Sequence, residues 1–127
     1  LNVEKYVLFI GQRQFQEVSL FLNIADILVS PRNKGTNTPL KIYSYINSGK
    51  PIVAADLPSL RNILDERMAW FFEPDNPESL ANTIHAILEN PKVAQEKAAV
   101  AEKESEQYDW ENRFDGIFKF IDATLSK

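Results

Sequence analysis

The sequence has no cysteine and a single histidine. Disulfide frameworks and thiolate metal sites are therefore excluded, and a His-rich metal site or a Ser-His-Asp triad is not expected. No apolar run approaches the roughly 18 residues that cross a bilayer, and no signal-peptide pattern is visible. Positive charge is also in short supply: 14 Lys and Arg stand against 18 Asp and Glu, a formal net charge of -4. Broad nucleic-acid binding, which exchanges counterions for clustered cations, is thus not expected. A soluble cytoplasmic protein is the expectation. The chain opens at Leu1 rather than on a methionine, directly before a strand-like segment, as a truncated chain would.

What is present suits one compact domain. At 127 residues, 44% of them hydrophobic and 25% charged, the chain has material for a core and an ordinary polar surface. Tyr6-Val7-Leu8-Phe9-Ile10, closed by Gly11, reads as a strand buried on both faces of a parallel sheet. Val18, Phe21, Leu22 and Ala25 recur at helical spacing and predict a helix over residues 14–25. Ile27-Leu28-Val29, stopped by Ser30-Pro31, is a second strand; Pro51-Ile52-Val53-Ala54-Ala55 is a third, and residues 68–72 are a fourth. Between them lies a helix with Thr38 as cap, Pro39 at its first position and Gly49 as its stop. Asn76-Pro77 and Asn90-Pro91 each place a capping side chain before a proline and so open a helix. Leu80, Ile84, Ile87 and Leu88 form one apolar stripe; Trp110, Phe114, Ile117, Phe118, Ile121 and Leu125 form another. Strands alternating with helices imply a parallel sheet with right-handed crossovers, and no repeat or second domain interrupts it.

In open parallel sheets ligands bind beyond the carboxyl ends of the strands. The loop after Val29 is the candidate: residues 31–41 hold Arg32, Lys34 and Lys41 and no acid, a local +3 on an acidic chain. It feeds a helix whose first turn offers free N–H groups and the positive end of a dipole, which together favour a phosphate. Gly35 allows a close backbone approach. A polar loop before a capped helix also suits a plain connection. Lys41, Ser44 and Ser48 share one helix face, as the flank of a ligand site or as a solvated surface.

The stretch from Thr38-Pro39-Leu40-Lys41-Ile42-Tyr43-Ser44 to Gly49-Lys50-Pro51-Ile52-Val53-Ala54 resembles the signature of family 4 ("group 1") glycosyltransferases. The flanks agree: Ala25-Asp26-Ile27-Leu28-Val29-Ser30-Pro31, Glu73-Pro74-Asp75-Asn76-Pro77-Glu78 and Tyr108-Asp109-Trp110-Glu111 are similar to family segments in the same order. The resemblance covers nearly the whole chain. It implies a GT-B architecture, two Rossmann-like domains across a cleft, with residues 1–127 as one partial domain from the C-terminal, donor-binding half and helices on both faces of its sheet.

The same resemblance implies a transferase that moves a sugar from a nucleotide-diphospho-sugar with retention of configuration, needs no metal or other cofactor, and works in the cytoplasm or at the cytoplasmic membrane face. Its partners would be the donor and an N-terminal domain, on which the final helix, residues 109–127, would pack. Arg32, Lys34, Gly35, Thr36, Asn37, Thr38, Pro39 and Leu40 would line the diphosphate and sugar, with Lys41 and Ser44 nearer the nucleoside.

The chain departs from the family's paired glutamates. Alignment through Pro39 and Gly49 puts them at Thr36 and Ser44; anchoring on Gly35 moves the first to Lys34. In either case the carboxylates are missing. The Ser44 hydroxyl would hydrogen-bond a ribose more weakly than a carboxylate does. Two upstream βα units of the family's domain are also missing. The expected sheet is therefore interrupted, or pairs 6–10 directly with 26–30, or is completed by another chain. A degenerate binding module without catalysis is the alternative, and an unrelated doubly wound domain the third. Asp56 ends a strand and is a possible site residue, as is Glu73 unless it caps a helix. His85 reads as a surface residue and Trp70, Phe71 and Phe72 as packing aromatics.

Overall fold

The computed structural model describes residues 2–125, leaving aside the side chains of Trp110, Glu111 and Arg113. Three strands, β1 (Leu28–Ser30), β2 (Ile52–Ala55) and β3 (Trp70–Phe72), form one parallel sheet in the order β1-β2-β3. Leu28 pairs with Ile52 and Ser30 with Ala54 on one side; Val53 pairs with Trp70 and Ala55 with Phe72 on the other. All four residues of the central strand are fully buried. A strand covered on both faces and both edges can be apolar throughout, which is why its sequence runs without alternation.

The helices are α1 (Val18–Ile24), α2 (Lys41–Ile46), α3 (Pro58–Arg61), α4 (Pro77–Glu89), α5 (Pro91–Ser105) and α6 (Trp110–Leu125). Ile42 and Ile46, one turn apart on α2, are 0% and 1% exposed and join Ile52, Val53, Leu60, Leu64 and Phe72 in one core. Each such side chain removed from water stabilises the fold by about 1.5–3 kcal/mol. Helix α5 packs on α2 and contributes a small-residue stripe, Ala94, Ala98 and Ala101, all buried. Gly49 ends the α2 turn at φ 65°, the left-handed stop its position predicts, and a side chain there would press on Glu102 of α5.

Several local expectations are corrected. Residues 6–10 form no strand: a single 3-10 turn spans Glu4–Tyr6, and Tyr6, Leu8 and Phe9 are 79%, 83% and 92% exposed. An apolar run becomes a strand only when a neighbour supplies the ladder, and among the described residues β1 pairs with β2 alone. Of the three sheet arrangements expected, direct pairing of 6–10 with β1 is thereby ruled out within this chain. Thr38 caps no helix; its hydroxyl donates to the carbonyl of Ser59 at 2.8 Å, and α2 starts later, at Lys41, after a tight turn through Pro39 and Leu40. Asn90 turns its amide back to the Ala86 carbonyl at 2.8 Å, closing α4 rather than capping α5. Leu88 leaves the α4 stripe, 64% exposed, because Ile87 takes the buried position.

Asn76 does cap α4, accepting from the Ser79 amide at 2.9 Å, and Glu73 holds Asn76 at 2.7 Å. Glu73 thereby holds the cap of α4 in place. His85 faces solvent beside Glu89. Phe72 belongs to the core, with Trp70 and Phe71 packed against it. Helix α6 leaves Phe114, Ile117, Phe118, Ile121 and Leu125 between 41% and 80% exposed. Trp110, counted in that stripe from the sequence, has its side chain outside the described residues, as Ser126 and Lys127 are. Among the described residues no helix is long and apolar enough to cross a membrane.

Candidate functional site

All three strands end on the same side, so three connections emerge together: residues 31–40 after β1, Asp56 and Leu57 after β2, and residues 73–76 after β3. The ladder extends one residue past β2, with the Asp56 amide donating to Phe72 at 2.9 Å. Thr38 then pins the first connection to α3 through Ser59. No aspartate or glutamate occurs between Asp26 and Asp56, while Arg32, Lys34, Lys41 and Lys50 do. The connection of residues 31–41 therefore favours an anion locally, whereas Lys50 precedes β2 at the opposite edge and Asp56, Glu73 and Asp75 stand on the two neighbouring connections.

Within the loop, Arg32 folds inward. Its Nε donates to the Lys34 carbonyl at 2.7 Å, Nη1 to the Asn37 carbonyl at 2.7 Å and Nη2 to Asn37 Oδ1 at 2.8 Å. Arg32 is half-buried, whereas residues 33–37, including Lys34, Gly35, Thr36 and Asn37, are exposed. Pro39 is half-buried and Leu40 is 83% exposed, so Leu40 offers an apolar surface at the α2 entrance.

Lys41, the first residue of α2, rests its ammonium 5.7 Å from the Tyr45 ring centroid and makes no ion pair among the described residues. The residue is exposed as a whole, but burial of its ammonium, and secondarily the charge of Arg32, hold its pKa below the usual 10.5. Burial likewise pushes the Tyr45 phenol up, and its hydroxyl reaches toward the Val29 carbonyl at 3.4 Å.

Ser44 lies one turn on and lines a cavity of about 380 Å³ between α1 and α2. Gln16, Ser19, Asn23, Asn47 and Ser48 line it too, with Phe15 and Leu22 as apolar walls, so its lining carries hydroxyls and amides and no charge. Sequence reasoning missed the contribution of α1 and of the 3-10 turn, Phe15–Glu17, that precedes it. The available signal was the polar set Gln16, Ser19 and Asn23, three and four apart within the helix read over residues 14–25. Ser48, grouped with Lys41 from its spacing, spends its hydroxyl on the Tyr45 carbonyl at 2.6 Å.

Asp56 is engaged already. Arg61 binds it through Nε at 2.7 Å and Nη2 at 3.0 Å, reaches Glu66 at 2.7 Å, and lies 3.5 Å over the Phe71 ring. The hydrogen bond from Arg61 is the chief reason the Asp56 pKa falls below its usual 3.8, burial opposing it. A carboxyl that ionises more readily when folded adds stability that is complete above 3.8 and drains away as the pH falls through the lower folded value. Thermal unfolding scanned from pH 6 to pH 2 should show Asp56→Asn less stable than the parent at the upper end. The difference should shrink at the acid end. A constant difference across the range would contradict this assignment.

Residues 1–90 match the protein family described as Glycosyl transferases group 1. Phosphatidyl-myo-inositol mannosyltransferase of Mycobacterium leprae is 23% identical over 107 residues, which are 84% of this chain and 29% of that protein. Two solved structures share the fold with a TM-score of 0.82: sucrose-phosphate synthase from Thermosynechococcus elongatus and HepE of Anabaena in complex with UDP-glucose. The first is 20% identical, covering 97% of this chain and 32% of that one; the second is 23% identical, covering 99% and 34%. The chain thus spans about a third, or less, of each of these three relatives.

Proposed function

The chain belongs to the group 1 glycosyltransferase family, and from that premise we propose that it forms the donor-binding region of a glycosyltransferase, one partial domain that holds a nucleotide-diphospho-sugar. The observation that carries this reading is the acid-free, cationic connection of residues 31–41 at the carboxyl end of β1, feeding directly into α2. HepE, solved with UDP-glucose on the same fold, supports the class of ligand.

In the proposed arrangement the diphosphate lies along residues 35–40 and the first turn of α2, with Lys34 and Lys41 supplying positive charge. The uncharged cavity beside Ser44 has the chemistry for a ribose or base: hydroxyls and amides for hydrogen bonds, Phe15 and Leu22 for an apolar face. When the sugar leaves, negative charge builds on the diphosphate. Preoriented backbone amides and Lys41 would stabilise it without a metal. Transfer is proposed to retain the anomeric configuration, with an N-terminal domain closing over the donor and contacting α6.

A second reading is favoured by one observation: where the family resemblance implies paired carboxylates, this chain has Thr36 or Lys34 for the first and Ser44 for the second. In that reading the protein binds a nucleotide without transferring sugar. Calorimetric titration of the full-length protein with UDP, GDP and ADP, followed by an assay for sugar release from the matching donors, separates the two. Binding with turnover is expected. Binding without turnover would favour the second reading, and no binding to any nucleotide would remove both.

A further inference from the structure

Hydrogen bonding divides the cations of the 31–41 loop, for Arg32 alone of the three is bonded within it. We infer that Arg32 is a positioning residue that shapes the loop from within and does not itself bind the donor, an inference that rests on the donor-binding reading above. Its guanidinium is spent on three acceptors of the loop, the Lys34 carbonyl, the Asn37 carbonyl and Asn37 Oδ1. These bonds join both ends of the 34–37 arch. They also engage two carbonyl oxygens that, left free, would repel an arriving phosphate.

Gly35 completes the device. It sits at φ 132°, and a Cβ added there would overlap the Nη2 and Cζ atoms of Arg32. The backbone therefore passes directly over the guanidinium, and a side chain at position 35 would push the guanidinium aside as well as strain the backbone. A phosphate ligand would present its cation outward, yet Arg32 is half-buried among five consecutive exposed residues. The planar fork is essential, because a lysine ammonium cannot reach all three acceptors at once.

The test uses the full-length protein with Arg32→Lys, Arg32→Ala, Gly35→Ala and the double variant Arg32→Ala/Gly35→Ala. UDP, GDP and ADP affinity is measured at two salt concentrations, and the exchange of the Arg32 Nε–H proton is followed by NMR without nucleotide. Arg32→Lys should weaken nucleotide binding as much as Arg32→Ala, about tenfold, the scale of one charge-assisted hydrogen bond. Gly35→Ala should match them although it keeps the charge, and the double variant should be no worse than either single one. The salt dependence should not change in Arg32→Ala. In the parent, Nε–H should exchange slowly, and in Gly35→Ala rapidly.

Near-parental binding by Arg32→Lys, or a flatter salt dependence in Arg32→Ala, would make Arg32 a phosphate ligand and overturn the inference. Rapid Nε–H exchange in the parent would overturn the clasp whatever binds. A parent with slow exchange that binds none of the three nucleotides would instead overturn the donor-binding reading, leaving a clasp with no donor to serve.

Discussion

Lys41→Met is expected to weaken binding of the nucleotide diphosphate by about 10- to 100-fold, the 1.5–3 kcal/mol carried by a hydrogen bond to a charged group. Methionine keeps an aliphatic stem over the Tyr45 ring and removes only the charge. Lys41 is the cation best placed for this role: it begins α2, has no acidic partner among the described residues, and is not tied into the loop as Arg32 is. Its lowered pKa, set first by burial and then by Arg32, gives the interaction a pH signature. The charged form is disfavoured in the free protein, so affinity should begin to decline at a lower pH than for an ordinary lysine. Titration calorimetry from neutral pH upward checks both points. An affinity indifferent to the substitution would remove Lys41 from the site.

The other large effect is structural. Ile52→Ala should cost about 2–5 kcal/mol, the usual range for truncating a core aliphatic side chain to alanine. Ile52 is 0% exposed on the central strand and pairs directly with Leu28 of β1. Since domains of this size are stable by only about 5–15 kcal/mol, much of the margin would disappear. Urea unfolding of the full-length protein should show a lower midpoint at an unchanged slope. The folded fraction should bind nucleotide normally, because Ile52 lies beneath the site and not in it. A loss under 1 kcal/mol would mean that β2 is not the centre of the core.

The two predictions rest on features of different visibility in the sequence. Strands β1, β2 and β3 were legible because a doubly covered strand writes its burial into consecutive residues, as Ile52-Val53-Ala54-Ala55 does. Asn76 announced α4 because its cap bond to Ser79 spans only three residues. The same logic misled at Tyr6-Val7-Leu8-Phe9-Ile10, where composition satisfies a strand and no neighbour among the described residues provides the ladder. It misled again at Thr38, whose hydroxyl prefers a carbonyl 21 residues away to the adjacent helix.

The site divides likewise. The cationic loop and its glycine were visible as residue types. That Arg32 turns inward, that Asp56 is held by Arg61, and that α1 and α2 enclose a cavity at Ser44 all depend on tertiary placement. Spacing along the chain carries no trace of the first two, and of the cavity only the polar set Gln16, Ser19 and Asn23.

The most direct measurement is a crystal structure of the full-length protein with whichever of UDP, GDP or ADP binds. Both phosphates should lie within hydrogen-bonding distance of residues 35–41, at the carboxyl end of β1 and the entrance to α2. Phosphates seated elsewhere, for example beyond β3 against α4, would contradict it.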